Sequence, residues 1–120
     1  KAIAAGIKAA KPKATTGDVG AAIEKVLKAH GLGVVKVLSG HGVGHEVHEE
    51  PYVPNYGNPG TGQSLAPGMV IAIEPMATLG SGRVRVLADE YTYIASDQKL
   101  AAHFEHTVLI TEKGSEILTQ

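Results

Sequence analysis

The sequence of 120 residues contains no cysteine and no tryptophan. Without cysteine, the chain has no disulfide bond, zinc–thiolate site or cysteine nucleophile, and this composition fits a reducing, cytoplasmic location. It also lacks the run of about 18 apolar residues that a membrane-spanning helix needs. The charges nearly cancel, with 11 Lys and Arg against 12 Asp and Glu, so no concentrated basic face is available for nucleic acid. We therefore expect neither a membrane nor nucleic acid as a partner.

The first third of the chain has the apolar periodicity of two helices. "KAIAAGIKAA" puts its apolar residues on one stripe and is ended by Pro12. "TTGDVGAAIEKVLKAHG" predicts a second helix, with Thr16 or Asp18 as its N-cap and Gly31 as its stop. No capping residue precedes the first helix, so we expect further sequence upstream of Lys1.

The remaining chain is rich in short strand patterns. "LGVVKVL" predicts a short strand, "PNYGNPGTGQSLAPG" a long loop, and "MVIAIEP" a strand buried on both faces. "RVRVLADEYTYIA" predicts a hairpin, "LAAHFEHTVLIT" the longest strand, and "EKGSEIL" a turn at Gly114 with a last strand. We expect one α+β domain over residues 1–120, with an antiparallel-rich sheet of about five strands covered on one face by two helices.

Residues 40–51, "GHGVGHEVHEEP", hold three of the six histidines. Their spacing does not match the His-Glu-x-x-His helix of zinc peptidases, and the glycines disfavour a helix here. In an extended chain His41 and His45 share one face and His48 lies on the other, so at most two converge unless the chain bends. Gly42 and Gly44 would supply that bend or admit a substrate backbone. The alternative is a solvated polar loop.

Two glutamates stand where a carboxylate is costly. Glu74 ends the apolar run "MVIAI", and there it either needs a cation or donors, or turns to water. Glu105 shares one face of "AAHFEHTVLIT" with His103, and that face either looks at solvent or lies within the sheet. Imidazole and carboxylate ligands without sulfur suit Mn, Fe, Co or Zn in hydrolytic chemistry.

Three segments in order carry a family resemblance: "GHGVGHEVHEEP", "PGMVIAIEPM" and "AHFEHTVLITEKG". They resemble the catalytic half of type I methionine aminopeptidases, of the "pita-bread" metallopeptidase family. The resemblance covers nearly the whole chain and implies the C-terminal half of a pita-bread catalytic domain. It also implies a metal-dependent aminopeptidase that removes N-terminal methionine from nascent polypeptides, with a metal-activated hydroxide attacking the scissile amide.

The resemblance also implies roles for particular residues. His41, Glu74 and Glu105 would be metal ligands of two divalent ions (Co, Mn, Fe or Zn), with Glu105 bridging them and Glu74 also transferring a proton. His48 would be catalytic with Glu74, because it hydrogen-bonds the substrate at the scissile amide. Tyr91, in "DEYTY", stands where the family usually has tryptophan and would line the methionine pocket.

The family's other two ligands are aspartates of an N-terminal half that lies upstream of this chain. Asp18, Asp89 and Asp97 do not occupy that motif, and His45 falls at a variable position outside the site. Three of the family's five ligands can hold one ion weakly, so we expect the chain to be incomplete or inactive alone. Its expected partners are a nascent peptide and either an N-terminal half in trans or a second copy; otherwise an apolar surface would be exposed.

Two alternatives remain. A prolidase or aminopeptidase P-like enzyme shares the histidine motif, but Met76 after Glu-Pro and the segment "HFEHT" favour the methionine enzyme. A non-catalytic interaction module or a bare fragment is the other alternative. Retention of His41, Glu74 and Glu105 argues against a degenerate module.

Overall fold

A computed structural model describes residues 1–119, which form two helices and ten short strands. The helices are α1 (Ala2–Ala9) and α2 (Thr16–Ala29). The strands are β1 (Gly33–Val34), β2 (Gly40–Gly42), β3 (Glu49–Val53), β4 (Val70–Ile73), β5 (Met76–Thr78), β6 (Val84–Val86), β7 (Tyr93–Ala95), β8 (Ala101–His103), β9 (His106–Thr111) and β10 (Gly114–Ile117). Neither helix within these residues is long and apolar enough to cross a membrane.

Helix α2 begins at a reciprocal capping box. The Thr15 hydroxyl accepts a hydrogen bond from the Asp18 N–H, and the Asp18 carboxylate accepts one from the Thr15 N–H. The N-cap is therefore Thr15, and the expectation of Thr16 or Asp18 was wrong. In a capping box the N-cap residue and the residue three positions later bond to each other, so Asp18 is the partner of the cap. Asp18 still contributes, as the third residue of the helix. The predicted stop is confirmed, since Gly31 follows the helix with a φ of +67°.

The strands form three antiparallel sheets. The largest has the order β10-β9-β4-β2-β3, the second has the order β1-β5-β8, and β6 pairs with β7. The α+β class, the antiparallel pairing and the β6–β7 hairpin are confirmed. The strands are shorter and more numerous than the five expected, because the chain repeatedly passes from one sheet to another.

The core lies between helix α2 and the middle of the five-stranded sheet. Ile71, Ala72 and Ile73 of β4 are fully buried, which confirms the prediction of a strand buried on both faces. Further fully buried side chains of the core come from α2, β3, β9 and the loop between β3 and β4: Val19, Ile23, Val53, Leu65, Val108 and Ile110.

The segment "LAAHFEHTVLIT" is not one strand as predicted. It divides at Phe104 and Glu105, so that β8 belongs to the three-stranded sheet and β9 to the five-stranded sheet. The neighbouring strand changes sheet at the same level, between β4 and β5, where Pro75 cannot donate to a ladder. Because Ile73 pairs with His106 and Met76 with His103, the two crossings lie side by side.

This crossing point leaves apolar side chains in solvent. Phe104 is 66% exposed, and Leu100, just before β8, is 77% exposed. Phe104 also lines an open groove of about 530 Å³ between the start of α1, the end of α2 and strands β5 and β8. An exposed apolar surface was one of the alternatives expected from the sequence.

Candidate metal centre

The double crossing between sheets assembles a cluster of three potential ligands. Glu74 and Glu105 each occupy one of the two crossings, on neighbouring antiparallel segments. His41 lies on β2, opposite Ala72 of β4. One ligand atom each from His41, Glu74 and Glu105 lie within 4.8 Å of one another. Three residues far apart in sequence therefore meet at one point.

The hydrogen bond of His41 leaves the lone pair of its Nε2 available to a cation. Its Nδ1 lies 2.9 Å from the carbonyl oxygen of Gly42. A carbonyl only accepts, so Nδ1 carries the hydrogen and Nε2 presents a lone pair. That Nε2 faces Oε1 of Glu74 at 3.4 Å. The neutral imidazole thus has the tautomer that a metal-binding histidine needs.

The spacing of the donor atoms fits a metal ion. Two ligand atoms, each about 2.1 Å from one ion, are about 3.0 to 3.4 Å apart at octahedral to tetrahedral angles. The separation between His41 Nε2 and Glu74 Oε1 lies at the upper end of that range. Glu105 is exposed, which gives it freedom to move toward an ion. The residues present therefore fit one divalent ion with nitrogen and oxygen ligands.

The described residues offset the negative charge of the cluster only in part. The Glu74 side chain is only 12% exposed, and burial raises the pKa of its carboxyl. The like charge of Glu105 raises this pKa further, whereas His103 and His41 oppose the shift. Among the described residues, neither carboxylate is paired with a lysine or an arginine. A bound cation would relieve both the burial and the repulsion.

A bend in the histidine-rich segment brings His48 to His41. Their ring centroids are 4.2 Å apart, and the rings are tilted by 55°. Both line an open pocket of about 450 Å³, together with Ser39, Glu49, Glu50 and Tyr52. His48 and His45 are exposed, and His45 is not among the residues lining this pocket. Two of the three histidines therefore converge, but through the bend the pair is His41 and His48, and not His41 and His45, which share one face of an extended chain.

The glycines around His41 permit close approach of the chain's own strands. A Cβ at Gly40 would meet the carbonyl oxygen of Ala72, and a Cβ at Gly42 would meet that of Glu50. Neither glycine has a positive φ, so each is required by space rather than by an unusual backbone conformation. The backbone that approaches these two glycines is therefore that of β3 and β4.

Two residues that contact Glu74 were not identified from the sequence. His103 places Nε2 3.0 Å from Oε2 of Glu74. Asn55 is fully buried and donates from Nδ2 to the Glu74 carbonyl oxygen at 3.0 Å, while its Oδ1 has no protein partner. The signal for His103 was its place on the same strand face as Glu105. Asn55 gave no signal, because it stood in a loop already rich in Asn, Gly and Pro.

The structure does not bring Tyr91 to the cluster. Tyr91 lies in the turn of the β6–β7 hairpin, is 87% exposed, and is not among the residues lining the pocket of His41 and His48. Its neighbour Tyr93 instead lines a smaller pocket of about 250 Å³ with His103.

The three aspartates have local structural roles. Asp18 caps helix α2, Asp89 accepts hydrogen bonds from the turn of the β6–β7 hairpin, and Asp97 accepts them from Ser81 and Lys99. These contacts lower the pKa of each aspartate. None of the three aspartates belongs to the cluster of His41, Glu74 and Glu105.

The fold, the imidazole–carboxylate cluster and the sequence together define a class of protein. The model of metallopeptidase family M24 matches residues 1–112, and the chain belongs to this family. The chain is 47% identical over 114 residues to methionine aminopeptidase B of Synechocystis sp., an alignment that covers 95% of this chain and 42% of that protein. The chain thus spans less than half of that relative.

Solved structures give the same result. Methionine aminopeptidase from Thermotoga maritima matches 99% of this chain and 48% of its own, with a TM-score of 0.96 and 48% identity. Prolidase from Pyrococcus furiosus also matches 99% of this chain, but with a TM-score of 0.72, 33% identity and 29% of its own length. The predicted fold is confirmed, and the likeness to the methionine enzyme is the greater of the two. Membership of a metallopeptidase family implies the use of divalent metal ions.

Proposed function

We propose that this chain is the C-terminal half of the catalytic domain of a methionine aminopeptidase, which removes N-terminal methionine from nascent polypeptides. The observation that carries the proposal is the convergence of His41, Glu74 and Glu105 within 4.8 Å. The identity of 48% and TM-score of 0.96 to the Thermotoga maritima enzyme favour this reading over a prolidase. The cytoplasm as its location remains a prediction from the sequence.

The three converging residues would hold a divalent ion, and Glu105, whose side chain is exposed, would be shared with a second one. When bound, the metal acts as a Lewis acid that activates water and stabilises negative charge on the scissile amide. His41 contributes the lone pair of Nε2, since its Nδ1–H is fixed by the Gly42 carbonyl. Co, Mn, Fe and Zn are all compatible with these ligands.

Glu74 and His48 would act directly on the substrate. Glu74 would accept and return a proton at the attacking water, because its carboxylate lies beside the cation site. His48 is exposed beside His41 and can reach a peptide bond held in the open pocket. Tyr91, exposed on its hairpin, would meet the methionine side chain only if the substrate or another part of the protein reaches it.

The site needs a second contribution to be complete. The chain spans 42% of the Synechocystis relative and 48% of the Thermotoga chain. We propose that two aspartate ligands come from an N-terminal half, either in the same polypeptide or in trans, with a second copy of this chain as the other possible partner. Phe104 precedes Glu105 in the chain, and Leu100 precedes β8; both side chains are exposed, and such a partner would cover them.

The test combines metal content with activity. The chain is incubated with Mn²⁺ or Co²⁺, desalted and analysed by elemental mass spectrometry. Cleavage of a Met-Ala-Ser peptide is then measured with and without the N-terminal half of the Thermotoga maritima enzyme. We expect metal uptake and rescue with the wild-type chain and with His45→Ala, whose side chain is outside the pocket. We expect neither with His41→Ala.

The outcomes separate the alternatives. Absence of both metal and rescue in the wild-type chain would contradict the enzymatic proposal and leave an interaction module or an inert fragment. Cleavage of an X-Pro dipeptide in preference to the methionine peptide would favour a prolidase. Full activity of the chain without any added half would refute the proposed need for upstream aspartates.

A further inference from the structure

The two carboxylate oxygens of Glu74 face two different imidazoles. Oε1 lies 3.4 Å from Nε2 of His41, and Oε2 lies 3.0 Å from Nε2 of His103. His41 is a residue of the proposed metal site. His103 is not one of the proposed metal ligands, although it contacts one of them.

The chemistry of the two contacts differs. Because His41 donates through Nδ1, its Nε2 has no hydrogen in the neutral ring, and two acceptor atoms face each other across the gap. The shorter contact to His103 is a hydrogen bond, in which Nε2–H donates to the carboxylate. One imidazole therefore faces Glu74 as a lone pair, and the other faces it as a donor.

His103 is held in place by regular structure. It is the last residue of β8, and it pairs with Met76 of β5, two residues after Glu74. The adjacent Phe104 N–H donates to the Pro75 carbonyl oxygen at 3.3 Å. The backbone on both sides of the His103–Glu74 contact is thus fixed by the β5–β8 ladder. A side chain on a paired strand is held more closely in position than one on a loop.

We propose that His103 is a positioning residue for the metal ligand Glu74: its Nε2–H holds Oε2 and so directs Oε1 toward the cation site beside His41. Partners of this kind set the orientation of a ligand, and their loss typically weakens metal affinity about 10- to 100-fold. This inference rests on the proposed metal site. It adds a residue of this chain that does not itself bind the ion.

The first test is Mn²⁺ affinity of the 120-residue chain, measured by isothermal titration calorimetry at pH 8. We compare the wild type, His103→Ala, His103→Gln and the control His45→Ala. Glutamine places an N–H near the position of the histidine Nε2–H, so His103→Gln keeps the donor while His103→Ala removes it. We expect the Kd to rise about 10-fold or more in His103→Ala and to stay within about twofold in the other two variants.

A purely structural role is tested on the metal-free chain. If His103 acts on Glu74, all variants unfold within about 2 °C of the wild type in EDTA, because the side chain is half exposed. In addition, two-bond ¹H–¹⁵N spectra should place the hydrogen of neutral His103 on Nε2 and that of His41 on Nδ1.

Several results would overturn the inference. They are an unchanged Kd in His103→Ala, no recovery of affinity in His103→Gln, or a bare Nε2 on neutral His103. With Mn²⁺ bound normally by the wild type, each of these leaves the proposed metal site intact and removes only the role of His103. A wild-type chain that binds no Mn²⁺ would overturn both.

Discussion

The substitution Glu105→Gln should change stability in opposite directions with and without metal. The ligand atoms of Glu74 and Glu105 lie within 4.8 Å of each other. At that separation two negative charges repel by about 0.9 kcal/mol in bulk water and by about 3.5 kcal/mol at an effective dielectric constant of 20. Because Glu105 is exposed, the lower value applies. Removing its charge should therefore raise the free energy of unfolding of the metal-free chain by about 1 kcal/mol.

The metal-bound comparison has the opposite sign. At a free Mn²⁺ concentration ten times the Kd, a single site stabilises the wild-type chain by about 1.4 kcal/mol. For a chain of this length that is about 6 °C in Tm. If loss of a ligand weakens binding about 100-fold, the gain at the same Mn²⁺ concentration falls below about 0.1 kcal/mol.

Thermal unfolding followed by circular dichroism at pH 8, in EDTA and in Mn²⁺, measures both effects. Glu116→Gln is the matched control, because Glu116 is an exposed glutamate on β10 and its loss changes the net charge equally. The control should keep the full Mn²⁺ stabilisation. A Glu105→Gln variant that is less stable in EDTA and keeps its response to Mn²⁺ would show that Glu105 is a structural residue and would refute the reasoning.

Four further predictions concern the scaffold, each read from urea unfolding. Gly42→Ala should lose about 1 to 3 kcal/mol, since its Cβ would meet the Glu50 carbonyl oxygen; wild-type stability would contradict the close strand approach. Thr15→Ala should cost about 1 kcal/mol. The capping contacts of Asp18 lower the pKa of its carboxyl, so their stabilisation is present at neutral pH and is lost as the pH falls below about 4; Asp18→Asn should flatten that dependence. Ile71→Ala, in the fully buried β4, should cost about 2 to 5 kcal/mol, and a loss under 1 kcal/mol would argue against that burial.

Local patterns were sufficient for most of the fold. The stop at Gly31, the buried run around Ile71 and the β6–β7 hairpin depend on neighbouring residues, so the sequence predicts them. The division of "LAAHFEHTVLIT" was not predictable in the same way. Neither glycine nor proline marks Phe104 or Glu105, and the segment alternates as one strand would. The break follows from the neighbouring strand, which changes sheet at Pro75.

The candidate site shows the same division between local and tertiary information. Glu74 stood out because a carboxylate at the end of an apolar run needs an explanation, and the structure places it beside His41. Asn55, two residues after β3, donates to the Glu74 carbonyl just after β4, and nothing in the local sequence fixes the order of these strands in the sheet. His103 was on the right face of its segment, but its partner was known only after the β5–β8 register was known.

The site lies at a crossing of strands for a physical reason. Within a sheet, a carboxylate such as Glu74 would be buried among apolar neighbours. At the crossing its side chain is still only 12% exposed, but its two oxygens face the imidazoles of His41 and His103, and the backbone is fixed on both sides. Placing Glu105 on the adjacent crossing adds a second negative charge at short range, which raises the pKa of Glu74 and is not offset by a lysine or an arginine of the described residues. This arrangement is unfavourable for an empty cluster and favourable for one that contains a cation. The lone pair of His41 has the same preference, because a neutral imidazole can bind a metal ion but carries no charge that would offset those of the two carboxylates.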